Sequence, residues 1–419
     1  MPTDLTLGNL HPTVCLQREG SRLRQLVRVT VENPGPPLGA GLTASAAGLT
    51  TTADLGQVPS GQSVHDFFLD ELSAPTTVEF SLHAAGSLAD HRLVPWQPPP
   101  HFTVHVVQRS HHDVGYTGLA SLVLPEMAGY LDEALDMAAA TDDYPQDARF
   151  RLTLENVWSL WHFLQTASPT RKARLLELLR SGRFEMTAFF GNMTPELCGS
   201  ETLARTLYHA ARLQREYGLP LLTAEHNDVP GLSWGQCQVL LSAGLRLFCP
   251  GLPNYWAWSQ ALELQGFWDE QILFPHGVPG AFWWEAPSGQ RLLLWHSGVG
   301  AGGSARGNLP GLPERLAELA AQGCPYTVLR WPSIGGSRDN SPYTLEYAQT
   351  IQRWNETWTY PRLICSTNAL FYADLAPTLP ADLPVFHGEL PGQDYPAGAT
   401  STALATAANR GNHATLPAA

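Results

Sequence analysis

From Phe102 onward the chain repeats one pattern, and that repeat limits its fold more than any other feature. Short apolar runs end in polar loops, and an amphipathic helical segment follows each loop. Phe102-Thr103-Val104-His105-Val106-Val107 is mostly apolar and of strand length, as a buried strand is. It leads into Ser110-His111-His112-Asp113. The spacing then predicts a helix over 119–140, with Leu, Met and Ala on one face and Glu126, Asp132, Glu133 and Asp136 largely on the other. A strand over 149–155 leads into helical 156–165, and a third helix over 171–179 stops at Ser181-Gly182. A strand over 184–190 precedes a helix over 200–217, and a strand over 221–225 precedes Asp228. Strand–loop–helix repetition supplies the crossovers that parallel pairing requires. The expected fold class is therefore α/β, a (β/α) barrel-like domain with mostly parallel strands.

Residues before that point follow another rule. Leu26-Val27-Arg28-Val29-Thr30-Val31-Glu32 largely alternates with period 2 and stops at Asn33-Pro34-Gly35-Pro36-Pro37, and Thr77-Val78-Glu79-Phe80-Ser81-Leu82-His83 alternates throughout. These runs predict a small N-terminal β-sandwich over 1–95, with Trp96-Gln97-Pro98-Pro99-Pro100 as a stiff linker over 96–100. The barrel-like domain is expected over 101–400. The Ala-, Thr- and Gly-rich stretch over 401–419 resembles the start of an incomplete helical region. The 419 residues accommodate two or three domains at ~100–200 residues each.

A formal net charge of −13 with no basic stripe excludes nucleic acid as a partner. No run approaches the ~18 consecutive apolar residues of a membrane span, and the N-terminal residues show neither the basic nor the apolar region of a signal peptide. The six cysteines form no C-x-x-C pair and read as free buried thiols of a reducing compartment. The expected location is cytoplasmic. Thirteen Trp imply a large aromatic core, a sugar-stacking cleft, or both.

In parallel α/β sheets the loops after strand ends converge on one face, where ligand sites form. Three loops carry chemistry. In Ser110-His111-His112-Asp113-Val114-Gly115-Tyr116, His111 and Asp113 offer an imidazole nitrogen and a hard oxygen two residues apart, which suits Zn²⁺ or a similar divalent ion. Helix capping by Asp113 is the competing reading, and it leaves His111 unexplained. In Glu225-His226-Asn227-Asp228-Val229-Pro230-Gly231-Leu232-Ser233-Trp234, Asp228 at a strand end is placed to ligate a cation and attack an anomeric carbon, or simply to shape the Pro-Gly turn. Ser333-Ile334-Gly335-Gly336-Ser337-Arg338-Asp339-Asn340-Ser341-Pro342 brings Asp339 on a Gly-rich loop. That acid could reach over a substrate or serve in ordinary turn chemistry.

A resemblance connects the three. Ser110-His111-His112-Asp113-Val114-Gly115-Tyr116 is similar to the S-H-x-D-x-G-W opening of family-38 glycoside hydrolases, the α-mannosidases. Asp228-Val229-Pro230-Gly231-Leu232-Ser233 resembles the family's D-x-F-G-H-S segment, with Pro230 and Leu232 in place of Phe and His. Gly182-Arg183-Phe184-Glu185-Met186, Ser200-Glu201-Thr202-Leu203-Ala204-Arg205, Asp339-Asn340-Ser341-Pro342, Trp354-Asn355-Glu356 and Ser366-Thr367 follow in the family's order. The resemblance implies a metal-dependent retaining α-glycosidase acting on a carbohydrate through a covalent glycosyl-enzyme. Asp228 would be both nucleophile and cation ligand, and His111 and Asp113 further ligands. Asp339 would be the acid. Tyr116, Trp234, Trp256, Trp283 and Trp284 would be sugar platforms. The cation implied is Zn²⁺, with Co²⁺ or Ca²⁺ as alternatives.

In that family a further histidine ligand comes from a downstream helical domain, which this sequence does not extend into. Missing C-terminal domains or self-association would then complete the assembly. Two other readings stand beside this one. The first is a metal-dependent sugar deacetylase, for which His101 and His105 lie in a strand run, roughly 13 Å apart and too distant to share an ion. The second is a truncated, catalytically inactive carbohydrate-binding homologue.

Overall fold

A computed structural model describes residues 4–115, 117–227, 229, 231–251, 280–295, 309, 311–335, 340–390 and 402–415. The chain divides into two compact units. One comprises Met1–Thr103, Gly311–Gly323 and Arg353–Leu363; the other comprises Val104–Pro310, Cys324–Gln352 and Ile364–Ala419.

The first unit is built on two antiparallel sheets. Strands β1 (Thr6–Glu19), β2 (Arg22–Asn33), β3 (Leu38–Ala46), β4 (Leu49–Val58), β5 (Gly61–Asp70), β6 (Thr76–Ala84) and β7 (Ser87–Trp96) follow one another without a helix. They order as β1-β2-β5 and β4-β3-β6-β7. Period-2 alternation puts Val27, Val29 and Val31 of β2 and Val78, Phe80 and Leu82 of β6 on inward faces, where they share one core with Phe67 and Trp96. The indole of Trp96 donates to Gln25 Oε1 at 3.1 Å, so its polar edge is satisfied inside that core. The helix Leu312–Ala321 and residues 353–363 complete this unit, and Leu16 of β1 exchanges backbone hydrogen bonds with Tyr360 (2.8 and 3.1 Å).

The second unit carries strands β8 (Thr103–Arg109), β9 (Leu152–Leu154), β10 (Phe184–Met186), β11 (Thr223–Asn227), β12 (Leu247–Gly251), β13 (Ala281–Glu285), β14 (Arg291–Trp295), β15 (Val328–Ile334), β16 (Arg362–Ser366) and β17 (Val385–His387). Helices Ala120–Ala140, Val157–Thr166, Pro169–Arg180, Ser200–Arg205, Tyr208–Tyr217 and Trp234–Ser242 alternate with the earlier strands. The first three helices fall where the periodicity places them. Asn156 caps the second by accepting the Trp158 N–H at 3.2 Å, Ser168 caps the third, and Gly182, at φ 71°, lets the chain leave it.

Three expectations change. The strand over 184–190 ends at Met186, and the helix over 200–217 breaks at Thr206-Leu207, where the Thr206 carbonyl accepts the Phe190 N–H at 2.9 Å instead of continuing one helix. The third change concerns the largest sheet, where one antiparallel pair interrupts pairing that is otherwise parallel, as in β10-β9 and β13-β17. β11, β12 and β14 pair in parallel, but β13 and β14 pair antiparallel. Their connection is a five-residue turn, far shorter than the crossover that parallel neighbours require. The described strands form separate groups, β10-β9, β11-β12-β14-β13-β17 and β15-β8-β16, and do not close into one barrel. The helix Ala403–Thr415 keeps Leu404 almost wholly exposed. Among the described residues no helix is long and apolar enough to cross a membrane.

Candidate active site

His111 and Asp113 leave β8 in an irregular segment that its neighbours hold firmly. The side chain of Asn340 accepts the Asp113 N–H at 2.7 Å through Oδ1 and donates to the Asp113 carbonyl at 2.8 Å through Nδ2. Ser110 Oγ donates to the Ser341 carbonyl at 2.6 Å. Two described positions beside the clamp are themselves constrained. Asn340 sits at φ 53°, a left-handed conformation that Asn tolerates better than most residues. A Cβ on Gly335 would lie 1.9 Å from the Pro342 carbonyl oxygen, so only glycine fits there.

Within this frame the two adjacent histidines take different parts. His112 is consumed by the fold. Its Nδ1 meets the Ser110 carbonyl and its Nε2 meets Ser159 Oγ, both at 3.0 Å, and burial pushes its pKa below the usual range. His111 keeps one nitrogen uncommitted. Its Nδ1 lies 3.0 Å from Glu155 Oε1, while its buried Nε2 has no hydrogen-bond partner and stands 3.3 Å from Asp113 Oδ1. Burial opposes charge on the imidazole, but the Glu155 carboxylate and the contact to Asp113 outweigh it and raise the pKa to about 10. The same pairing acts on Glu155. Burial favours its neutral form, yet His111 and Arg109 bring it down to about 2.

Glu155 begins a buried chain of alternating charge. Arg109 Nη1 donates to Glu155 Oε2 at 3.1 Å, and Arg109 Nε lies 3.0 Å from Glu225 Oε1. Arg330 Nη2 donates to Glu225 Oε1 at 2.9 Å, and Arg330 Nε donates to Asn368 Oδ1 at 2.7 Å. Asn368 returns a hydrogen bond to Glu225 Oε2 at 2.6 Å. Charges this deep persist only when paired and hydrogen-bonded.

His111, His112, Asp113, Asn156, Trp158, Phe190, Asn192, Asn227 and Val229 are among the residues lining a cleft of about 330 Å³. The structure thus brings His111 and Asp113 together. Asp228, Asp339, Tyr116 and Trp256 lie outside the described residues. Among the described residues no group of three or more His, Cys, Asp or Glu is gathered for a metal. The pair that is gathered nonetheless suits one, because an orphaned imidazole nitrogen and a carboxylate oxygen face each other across 3.3 Å.

Two of the tryptophans expected as platforms, Trp234 and Trp284, are placed elsewhere. Trp284 is completely buried against Phe248, and its indole donates to the Gly388 carbonyl at 3.0 Å, so it is a core residue. Trp234 spends its indole N–H on the Glu285 carbonyl at 2.7 Å and does not line the His111 cleft. Trp158 and Phe190 do line it, and sequence reasoning missed both. Glu155, Arg109, Asn192 and Asn340 were missed as well. The available signal was an acid closing a strand just before an Asn helix cap, Glu155-Asn156.

The His105 ring is committed inside the second unit, with Nδ1 2.8 Å from Ser366 Oγ and Nε2 3.2 Å from Asp374. In the first unit His101 stacks on Tyr360 at 4.1 Å. Each ring is thus engaged in its own surroundings.

The region that carries the cleft is the N-terminal domain of a glycosyl hydrolase. Residues 101–389 match the model described as the glycosyl hydrolases family 38 N-terminal domain, and the chain belongs to that family. Among solved structures, an alpha-mannosidase from Enterococcus faecalis V583 is similar at 18% identity and TM-score 0.54, over 69% of this chain and 31% of that one. A family 38 glycosyl hydrolase from Enterococcus faecalis aligns at 15% identity and TM-score 0.46, over 69% of this chain and 29% of that one. The chain therefore spans about a third of the length of these solved relatives. No curated protein matches it.

Proposed function

We propose that this chain carries the nucleophile-bearing part of a metal-dependent retaining α-glycosidase of α-mannosidase type. One observation carries the reading: the free Nε2 of His111 lies 3.3 Å from Asp113 Oδ1 in a cleft whose lining includes Asn227 and Val229, the neighbours of Asp228 in sequence. His111, Asp113 and Asp228 would hold the ion, with Zn²⁺ as first choice and Co²⁺ or Ca²⁺ as alternatives. Bound there, a divalent cation would supply Lewis-acid attraction for vicinal sugar hydroxyls and so favour a distorted ring.

The remaining chemistry belongs to the chain. The Asp228 carboxylate attacks the anomeric carbon and forms a glycosyl ester while Asp339 gives its proton to the departing oxygen. Water then enters on the face that the leaving oxygen vacated, opposite the Asp228 ester, Asp339 takes its proton, and the ester breaks with net retention. In this scheme the two carboxyl groups stand about 5–5.5 Å apart. Trp158 and Phe190 form an apolar flank against which a sugar face can lie.

The test is metal analysis combined with hydrolysis of aryl α-mannosides. Added Zn²⁺ or Co²⁺ is expected to raise the rate, and Asp228→Ala to abolish it. Turnover that survives Asp228→Ala would remove the assigned nucleophile. Release of acetate from an N-acetylated sugar, without glycoside cleavage, would replace this reading with deacetylation.

A further inference from the structure

We propose that Glu155 is a positioning residue: by accepting the Nδ1 proton of His111, it keeps that ring turned so that Nε2, beside Asp113, is the donor atom offered to a divalent cation. The inference rests on the reading of His111 and Asp113 as cation ligands and assigns a role to a residue outside that set.

The geometry leaves Glu155 little freedom. It has no exposed surface, and both its oxygens are engaged. Oε2 accepts from Arg109 Nη1 at 3.1 Å. Oε1 accepts from Asn192 Nδ2, faces His111 Nδ1 at 3.0 Å and lies 3.4 Å from the His112 N–H. An ionised carboxylate only accepts, so the imidazole nitrogen facing it must carry hydrogen. The other nitrogen is then the one that supplies a lone pair once a cation displaces the proton it shares with Asp113. That atom, Nε2, is buried without a hydrogen-bond partner and stands 3.3 Å from Asp113 Oδ1. Two bare acceptors at that distance repel, so a proton or a cation must lie between them. His112 shows the contrast, since the protein itself occupies both its nitrogens.

Arg109 fixes the carboxylate in turn. It spans Glu155 and Glu225, so the Glu155 plane is anchored from the side opposite His111. A glutamine at this position would present one oxygen and one NH₂ to donors on both sides, Arg109 on one and His111, Asn192 and the His112 N–H on the other. It cannot satisfy both, and if the NH₂ faces His111 the ring must exchange its protonated nitrogen and place an N–H toward Asp113.

The experiment compares Zn²⁺ affinity of the wild-type chain, His111→Ala and Glu155→Gln by competition with a chromophoric chelator, and records the visible absorption of each Co²⁺-loaded protein. Glu155→Gln is expected to bind Zn²⁺ roughly 10- to 100-fold more weakly than wild type, with altered Co²⁺ bands. If wild type takes up no Zn²⁺, or His111→Ala binds it as tightly, the ligand reading fails and this proposal fails with it. If His111→Ala is weakened and Glu155→Gln is not, the ligand reading stands and the role given to Glu155 is overturned. A second measurement needs no variant, in case Glu155→Gln does not fold. Histidine ¹⁵N spectra of the Zn²⁺-loaded wild type should show His111 protonated at Nδ1 and metal-bound at Nε2. Coordination through Nδ1 would refute the proposal.

Discussion

Burial and hydrogen bonding oppose each other at Glu185. The carboxylate accepts from Thr153 Oγ1 at 3.1 Å, Thr223 Oγ1 at 2.5 Å and the backbone N–H groups of Asn368 and Ala369 at 2.6 and 3.1 Å. All four contacts favour the ionised form, yet burial prevails and raises the pKa from 4.5 to about 7. An acid whose folded pKa lies above its unfolded value gives stability that is complete below pH 4.5 and is lost as pH rises through 7. Over that window the folded protein should lose on the order of 3 kcal/mol from this group. Glu185→Gln should flatten that part of the pH–stability curve, as followed by urea unfolding at a series of pH values. An unchanged slope between pH 4.5 and 7 in the variant would show that Glu185 is ionised throughout. Asn340 permits a second test at this scale. It satisfies both backbone groups of Asp113, so Asn340→Ala should destabilise the protein by about 1–3 kcal/mol. A melting curve that matches wild type would deny the clamp.

The helix Val157–Thr166 carries Trp158 into the cleft and begins at the Asn156 cap. Asn156→Ala should cost about 1 kcal/mol and Asn156→Asp much less, because an aspartate oxygen can accept the same N–H; equal melting temperatures for the two variants would contradict this. Elements of this kind were legible in the sequence because their signals are local. Leu, Met and Ala recur at helical spacing over 119–140, Ser181-Gly182 marks a stop, and period-2 alternation marks β2 and β6. The His111–Asp113 pairing was legible for the same reason, since they stand only two positions apart. The remainder depends on partners far along the chain. Asn340 reaches Asp113 across 227 positions and Arg330 reaches Glu225 across 105, and neither residue type announces that contact. Trp284 and Trp158 read alike as letters. What separates a core indole from a cleft indole is which sheet packs over it, a tertiary fact. The mixed sheet escaped notice because a five-residue return between β13 and β14 lies beyond the regular repeat that suggested parallel strands.

At the scale of the whole molecule, the first unit depends on distant sequence. Besides the strands of residues 1–103 it contains the helix Leu312–Ala321 and residues 353–363, and Pro313, Ala317, Trp354 and Trp358 face Cys15 and Leu26 around a small, largely apolar cavity. Residues 1–103 produced alone should bind a hydrophobic dye that the whole chain excludes, because those apolar side chains lose their cover. A fragment that melts cooperatively and binds no dye would contradict this. The same division governs the order of assembly on the ribosome. The chain passes between the units five times, at 103–104, 310–311, 323–324, 352–353 and 363–364. Emerging first from the exit tunnel, the N-terminal strands must wait, one flank bare, until Leu363 is synthesised. By then most of the neighbouring unit, all but its residues from Ile364 onward, has also been made. The two bodies mature together during translation, and a holding chaperone would have its longest opportunity in that interval.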